Sequence, residues 1–185
     1  MKRFLALVVA LMLASGVSLA ESVTPTGTLS GTVCWPEGTT EDTATFIYRY
    51  SYPVVADTGE AARAINEFYT YLVDDTLAFT VPIMAESLET TEVQSYANVT
   101  SQITCLNDEY FSVLVVTETS LGAAATEVYA GHTFLLEGER AGLATSLPRL
   151  LGILDDQEAD EWMQDRQTAR ATDLVWGLVW SISEE

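Results

Sequence analysis

His132 is the only histidine in this chain of 185 residues, and its side chain alone has an ordinary pKa suited to moving protons at neutral pH. Nucleophilic catalysis would need a hydroxyl or thiol held beside that imidazole, and no Gly-x-Ser-x-Gly elbow is present. A solitary imidazole of this kind reads as a structural residue at a turn or strand edge. Carboxylates are the abundant reactive group, densest at Asp74-Asp75 and from Asp155 to Glu161. Paired carboxylates hydrolyse glycosides when they stand roughly 5 to 9.5 Å apart, a spacing that a chain this acidic meets by chance. The run Asp155-Asp156-Gln157-Glu158-Ala159-Asp160-Glu161 lacks the glycine and the ligand spacing of an EF-hand loop. Both clusters read best as solvated helix ends, which leaves an acid-pair hydrolase as the weakest functional alternative. No catalytic residue, metal-ligand set or cofactor motif is assigned.

Aromatic side chains offer a different chemistry. Tyr48, Tyr50 and Tyr52 fall on one face of an alternating segment, and with Trp35 they form a candidate platform for a sugar or a protein partner. His132 joins them as a candidate contact. The competing reading is that this face is core.

Cys34 and Cys105 are the only cysteines, and neither stands in a redox or metal-binding motif. Their fate depends on compartment. Lys2 and Arg3 open the chain, Phe4 to Val17 is almost wholly apolar, and Ser18-Leu19-Ala20 puts small residues at a cleavage position. Residues 1–20 are therefore expected to be a signal peptide, with an uncleaved anchor as the alternative, and the protein is expected to be secreted or held in the cell envelope. No later segment is apolar for long enough to span a membrane. In an oxidising compartment the two thiols are expected to pair. That bridge would close a loop of about seventy residues and contribute roughly 4 kcal/mol. Two buried free thiols are the alternative.

The chain carries 27 acidic residues, and once Lys2 and Arg3 leave with the signal it keeps six arginines and no lysine. Such a field disfavours nucleic acid and other phosphate polymers and favours basic proteins. Acidity also serves solubility alone. With 48% hydrophobic residues the chain is a folding one, of a length suited to one domain.

The elements follow from the periodicity. Residues 21–28, rich in Thr, Ser, Pro and Gly, read as a flexible lead-in to a single domain over 29–185. Leu29 to Trp35 and Thr43 to Tyr52 alternate as strands, joined through Pro36-Glu37-Gly38. Asp57 and Glu60 resemble a capping box, followed by Ile65, Phe68, Tyr69, Leu72, Thr76 and Phe79 at helical spacing. That is a helix of about twenty residues, which Pro82 ends or kinks, with a short helical continuation through Met84 and Leu88 as the alternative to a full stop. Ala97, Val99, Ile103 and Cys105 share a strand face. Asn107-Asp108 is a turn, Tyr110 to Val116 reads as a strand covered on both faces, and Thr126 to Glu137 as a further strand before Gly138. A last helical stripe starts at Asp155 and runs through Trp162, Met163, Ala169, Leu174, Leu178 and Ile182, with Trp176 and Trp180 beside it. The expected fold is α+β: an antiparallel β meander packed against one long N-terminal helix and C-terminal helices.

Short motifs in this order carry a family resemblance: Tyr52-Pro53, Ile65-Asn66, Tyr110-Phe111-Ser112-Val113, Thr133-Phe134-Leu135-Leu136-Glu137-Gly138, and Leu147 to Leu154. Together they resemble the RsiV-type extracellular domain, a family of uncharacterised function found in lysozyme-sensing anti-sigma factors and beside polysaccharide deacetylase domains. The family's Gly-Gly-Ala-His stretch corresponds to Gly122-Ala123-Ala124-Ala125, which keeps one glycine and no histidine. Deacetylase chemistry is not expected, because its metal site needs histidines that are absent here. Three residues before the apolar segment leave no cytoplasmic part to hold a sigma factor, and the chain stops at Glu185, where closing strands are expected in the family. The resemblance and the charge together lead to the expectation of a non-enzymatic binding domain for a basic protein, a lysozyme-like cell-wall hydrolase being the partner that the resemblance implies. A cell-wall glycan-binding module is the alternative.

Overall fold

The computed structural model describes residues 23–56, 58–88, 93–122, 124–153, 155, 157, 158 and 161. The expected signal peptide, the Asp57 cap and the helical stripe from Trp162 to Ile182 lie outside these residues. Among them, no helix is long and apolar enough to cross a membrane.

Alternation of apolar residues produces β1 (Pro25–Trp35) and β2 (Phe46–Val55), which pair antiparallel with Val33 opposite Tyr48 and Trp35 opposite Phe46. Residues 25–28, expected in the lead-in, belong to β1, where Pro25 faces Val55 and Thr28 faces Pro53. Gly31 stands opposite Tyr50, and a Cβ there would meet the Tyr50 hydroxyl at 2.5 Å. The missing side chain lets the phenol ring lie across the strand.

Helix α1 (Glu60–Asp75) starts after Gly59, whose position makes no side-chain cap. It runs into a π turn (Thr76–Thr80) and then α2 (Val81–Ser87). Pro82 has no N–H to donate, and its ring collides with a carbonyl one turn earlier in a regular helix. The wide turn just before it absorbs that conflict and shifts the helical phase. Val81, Ala85 and Leu88 consequently turn inward, whereas Phe79, expected in the buried stripe, is 64% exposed. The single long helix of the sequence reading is thus corrected to two helices with a change of face between them.

The chain then enters β3 (Ser95–Leu106), β4 (Tyr110–Ser120), β5 (Thr126–Leu135) and the short β6 (Ala144–Thr145), followed by one helical turn, α3 (Leu147–Leu150). Strand order is sequential, β1-β2-β3-β4-β5-β6, but β2 and β3 run parallel, so the expected antiparallel meander is a mixed six-stranded sheet. The physical reason is the helical crossover, which carries the chain back to the end of the sheet from which β2 started. The described residues show no long C-terminal helix; beyond α3 they include only a helix start, where Asp155 and Glu158 accept each other's backbone N–H at 2.9 and 3.1 Å.

One face of the sheet packs on the helices. Phe46, Ile65, Tyr69, Phe111 and Phe134 are buried there, each worth about 1.5–3 kcal/mol of transfer from water. On β4, Phe111, Val113 and Val115 are buried, while Tyr110, Ser112, Leu114 and Val116 are half-buried. Among the described residues β4 is thus covered by helix on one face, because both helical stretches lie between β2 and β3 in the chain and reach one side only. The turn after β5 closes onto α1 at Gly142, where φ is +82° and a Cβ would sit 2.5 Å from the Ala64 Cβ.

Candidate functional site

The candidate aromatic residues come together, but inside. Tyr48 and Tyr52 are each 4% exposed and Tyr50 is half-buried. Their rings form a row, Tyr48 to Tyr50 at 5.8 Å and Tyr50 to Tyr52 at 6.5 Å, continued by Tyr69 stacked on Tyr52 at 5.2 Å. His132, on the same sheet face, packs edge-on to Phe68 at 5.2 Å and lies 5.8 Å from Tyr69. Burial pushes the Tyr48 and Tyr69 phenols well above the ordinary tyrosine range, and Tyr52 upward as well. This cluster is core that ties β2, α1 and β5 together, so it offers no open platform for a ligand.

Both cysteines are free thiols. Register explains why the expected bridge is absent. Cys34 faces Ile47, and Ile47 stands beside Tyr96 at the start of β3. Cys105 lies near the far end of β3, about 30 Å further along the strand, whereas a disulfide needs Cα atoms within about 7 Å.

An open cleft of about 390 Å³ lies where β4 begins and β5 ends, lined by Glu109, Tyr110, Leu135, Glu137 and Gly138. The local sequence builds it directly. Asn107 closes the β3–β4 hairpin by accepting the Glu109 and Tyr110 N–H groups on its Oδ1 at 2.9 and 2.7 Å. Across the strands Tyr110 faces Leu135, and the Leu136 N–H donates to the Glu109 carbonyl at 2.9 Å. Gly138, at φ +79°, turns the chain just past Glu137. Two glutamates thus flank an aromatic and an aliphatic side chain, and among the described residues that line the cleft none is basic. That arrangement suits a lysine or arginine of a partner, whose stem packs on the apolar floor while its charge meets the acids. Sequence reasoning placed Asn107-Asp108 and Gly138 in turns but did not single out Glu109 or Glu137. The signal was available in principle, since both glutamates adjoin turns at the ends of two strands that pair.

The cleft opens onto the sheet face away from the helices. Leu114 and Val116 occupy its middle, half-buried, and Tyr129 on β5 is 62% exposed. At the far end Glu118 and Glu127 stand directly opposite each other across β4 and β5. Like charges so placed repel. Each carboxylate accepts a hydrogen bond from a phenol, Glu118 from Tyr96 at 2.7 Å and Glu127 from Tyr129. These hydrogen bonds raise both phenol pKa values. Arg49, on β2 of the same face, is engaged by the Glu41 carboxylate and by Asn98 Oδ1 at 3.2 Å. Among the described residues no three His, Cys, Asp or Glu side chains group to hold a metal ion.

No protein-family model and no curated protein matches the chain. Solved structures similar to it include a DUF3298 family protein from Pseudomonas aeruginosa PAO1, at 14% identity and TM-score 0.49, the match covering 86% of this chain and 71% of that one. A member of the DUF3298 family from Bacteroides fragilis is similar at 12% identity and TM-score 0.30, covering 63% of this chain and 56% of that one.

Proposed function

We propose that the chain is a non-enzymatic extracytoplasmic binding domain for a basic protein, held on the outer sheet face with a cationic side chain in the Glu109–Glu137 cleft. The cleft carries this reading: Glu109 and Glu137 beside Tyr110 and Leu135, with no basic residue among the described residues of its lining. The net charge of −19 supports it by drawing cationic partners toward the surface at long range. A lysozyme-like cell-wall hydrolase is the partner implied by the RsiV-type resemblance in the sequence. The glycan-binding alternative loses its support on β2, because Tyr48 and Tyr52 are buried.

The test replaces both cleft acids, Glu109→Lys with Glu137→Lys, and measures binding to a basic lysozyme. Both side chains lie at turns on the surface, so the fold should persist. Loss of two close charge pairs is expected to weaken binding by roughly tenfold or more. Unchanged affinity would remove the cleft from the account.

A further inference from the structure

Among the described residues the sheet ends on a strand whose outer edge is largely unpaired. On the β6 side of β5, strand pairing covers only Thr133, facing Thr145, and Phe134, facing Ala144. Leu135 directs its N–H and C=O to the chain just before β6, at Leu143 and Gly142, whereas the Leu136 N–H points the other way, to Glu109. Backbone direction alternates along a strand, and the β4–β5 register has no shift. Glu127, Tyr129 and Gly131 therefore present their N–H and C=O groups to the open edge, where no described strand pairs with them. Exposed edges in natural sheets are usually blunted by lysine, proline or a bulge. The opposite edge, β1, has Pro25 and a register shift between Pro25 and Gly27. The stretch Thr126 to His132 has no lysine, proline or bulge, and Glu127 is its one acidic side chain.

We infer that this edge pairs with the same edge of a second copy, antiparallel, about a two-fold axis at Tyr129. The register follows from the ends of the open stretch. It begins at Thr126, where the strand leaves its turn, and stops at His132, just before β6 takes over at Thr133. Tyr129 is its midpoint, so a two-fold there puts Thr126 of one copy opposite His132 of the other and fills the edge without collision with β6. Glu127 then lies opposite Gly131, so no acid faces an acid across the new ladder. Tyr129 meets its own copy on the outer face, and Val128, 48% exposed, meets Ala130 on the other. The pairing is isologous and self-limiting, since each copy has one such edge. The large negative charge repels two copies at a distance, so association should strengthen with salt. A basic partner would show the opposite trend, which separates failure of this inference from failure of the binding proposal.

Sedimentation equilibrium of the full chain, from micromolar to millimolar and at low and high salt, tests the pairing beside two variants. A Cβ at Gly131 meets nothing within 4 Å, so Gly131→Glu and Gly131→Lys leave the monomer intact. The expected result is a monomer–dimer equilibrium that tightens with salt. Gly131→Glu should weaken it roughly tenfold by setting acid against Glu127 twice over, and Gly131→Lys should tighten it. A chain that stays monomeric throughout, whether its edge is covered by its own residues or taken only by a basic polypeptide, would overturn the inference. So would a dimer indifferent to both substitutions.

Discussion

Asn66 on α1 and Val55 at the end of β2 exchange two hydrogen bonds: the Val55 N–H donates to Asn66 Oδ1 at 3.0 Å, and Asn66 Nδ2 donates to the Val55 carbonyl at 2.9 Å. The side-chain amide thus stands in for a neighbouring strand at the point where β2 would otherwise end with unpaired backbone. It also fixes the helix against the sheet one residue after Ile65, which is fully buried. Asn66→Ala removes both bonds and leaves a half-buried N–H and C=O without partners, an expected loss of about 2–4 kcal/mol. Asn66→Asp keeps an acceptor for the N–H but turns a carboxylate toward a carbonyl, so it should recover little. Urea unfolding of the three proteins measures both effects.

The thiols lead to a second expectation. With Cys34 and Cys105 near opposite ends of the sheet, Cys34→Ser with Cys105→Ser should change stability by less than about 1 kcal/mol, not by the roughly 4 kcal/mol of a lost bridge. Quantifying free thiols in the denatured protein, without reductant, should return both cysteines per chain; finding none in a monomer would contradict the strand register.

Alkali should unfold the protein through its buried phenols. Tyr48, Tyr52 and Tyr69 have pKa values raised in the fold, chiefly by burial. A group whose pKa is raised by folding stabilises fully below its unfolded pKa, about 10 for tyrosine, and that contribution is lost as pH rises toward the folded value. Stability should therefore be level through neutral pH and fall above pH of about 10. Phenolate absorbance from the buried rings should appear together with the loss of structure. A single smooth titration with the fold intact would count against the buried cluster.

Much of this was legible in the residues and some was not, for identifiable reasons. The alternation from Phe46 to Tyr52, the helical spacing from Ile65 to Leu72, and the turns at Asn107 and Gly138 each depend on near neighbours, and each appears where those neighbours put it. Phe79 fell on the wrong face because a π turn before Pro82 changes the phase, and a fixed period of 3.6 cannot register that. The parallel pairing of β2 with β3 depends on where the helical crossover delivers the chain, which no local pattern encodes. Tyr48 and Tyr52 suit a platform or, more often for such a face, a core, and α1 makes them core by stacking Tyr69 on Tyr52. The cleft needs Glu109 and Glu137 side by side, a neighbourhood made by the β4–β5 register across 28 residues of chain (109 to 137).

The proposed role meets its most direct test in a titration of the protein with a basic lysozyme at several salt concentrations, beside an unrelated protein of equal basicity. The account predicts tight binding to the lysozyme alone, with a component that survives added salt because the cleft grips a side chain. Equal binding to both proteins, erased by salt, would contradict it and reduce the acidity to general electrostatics.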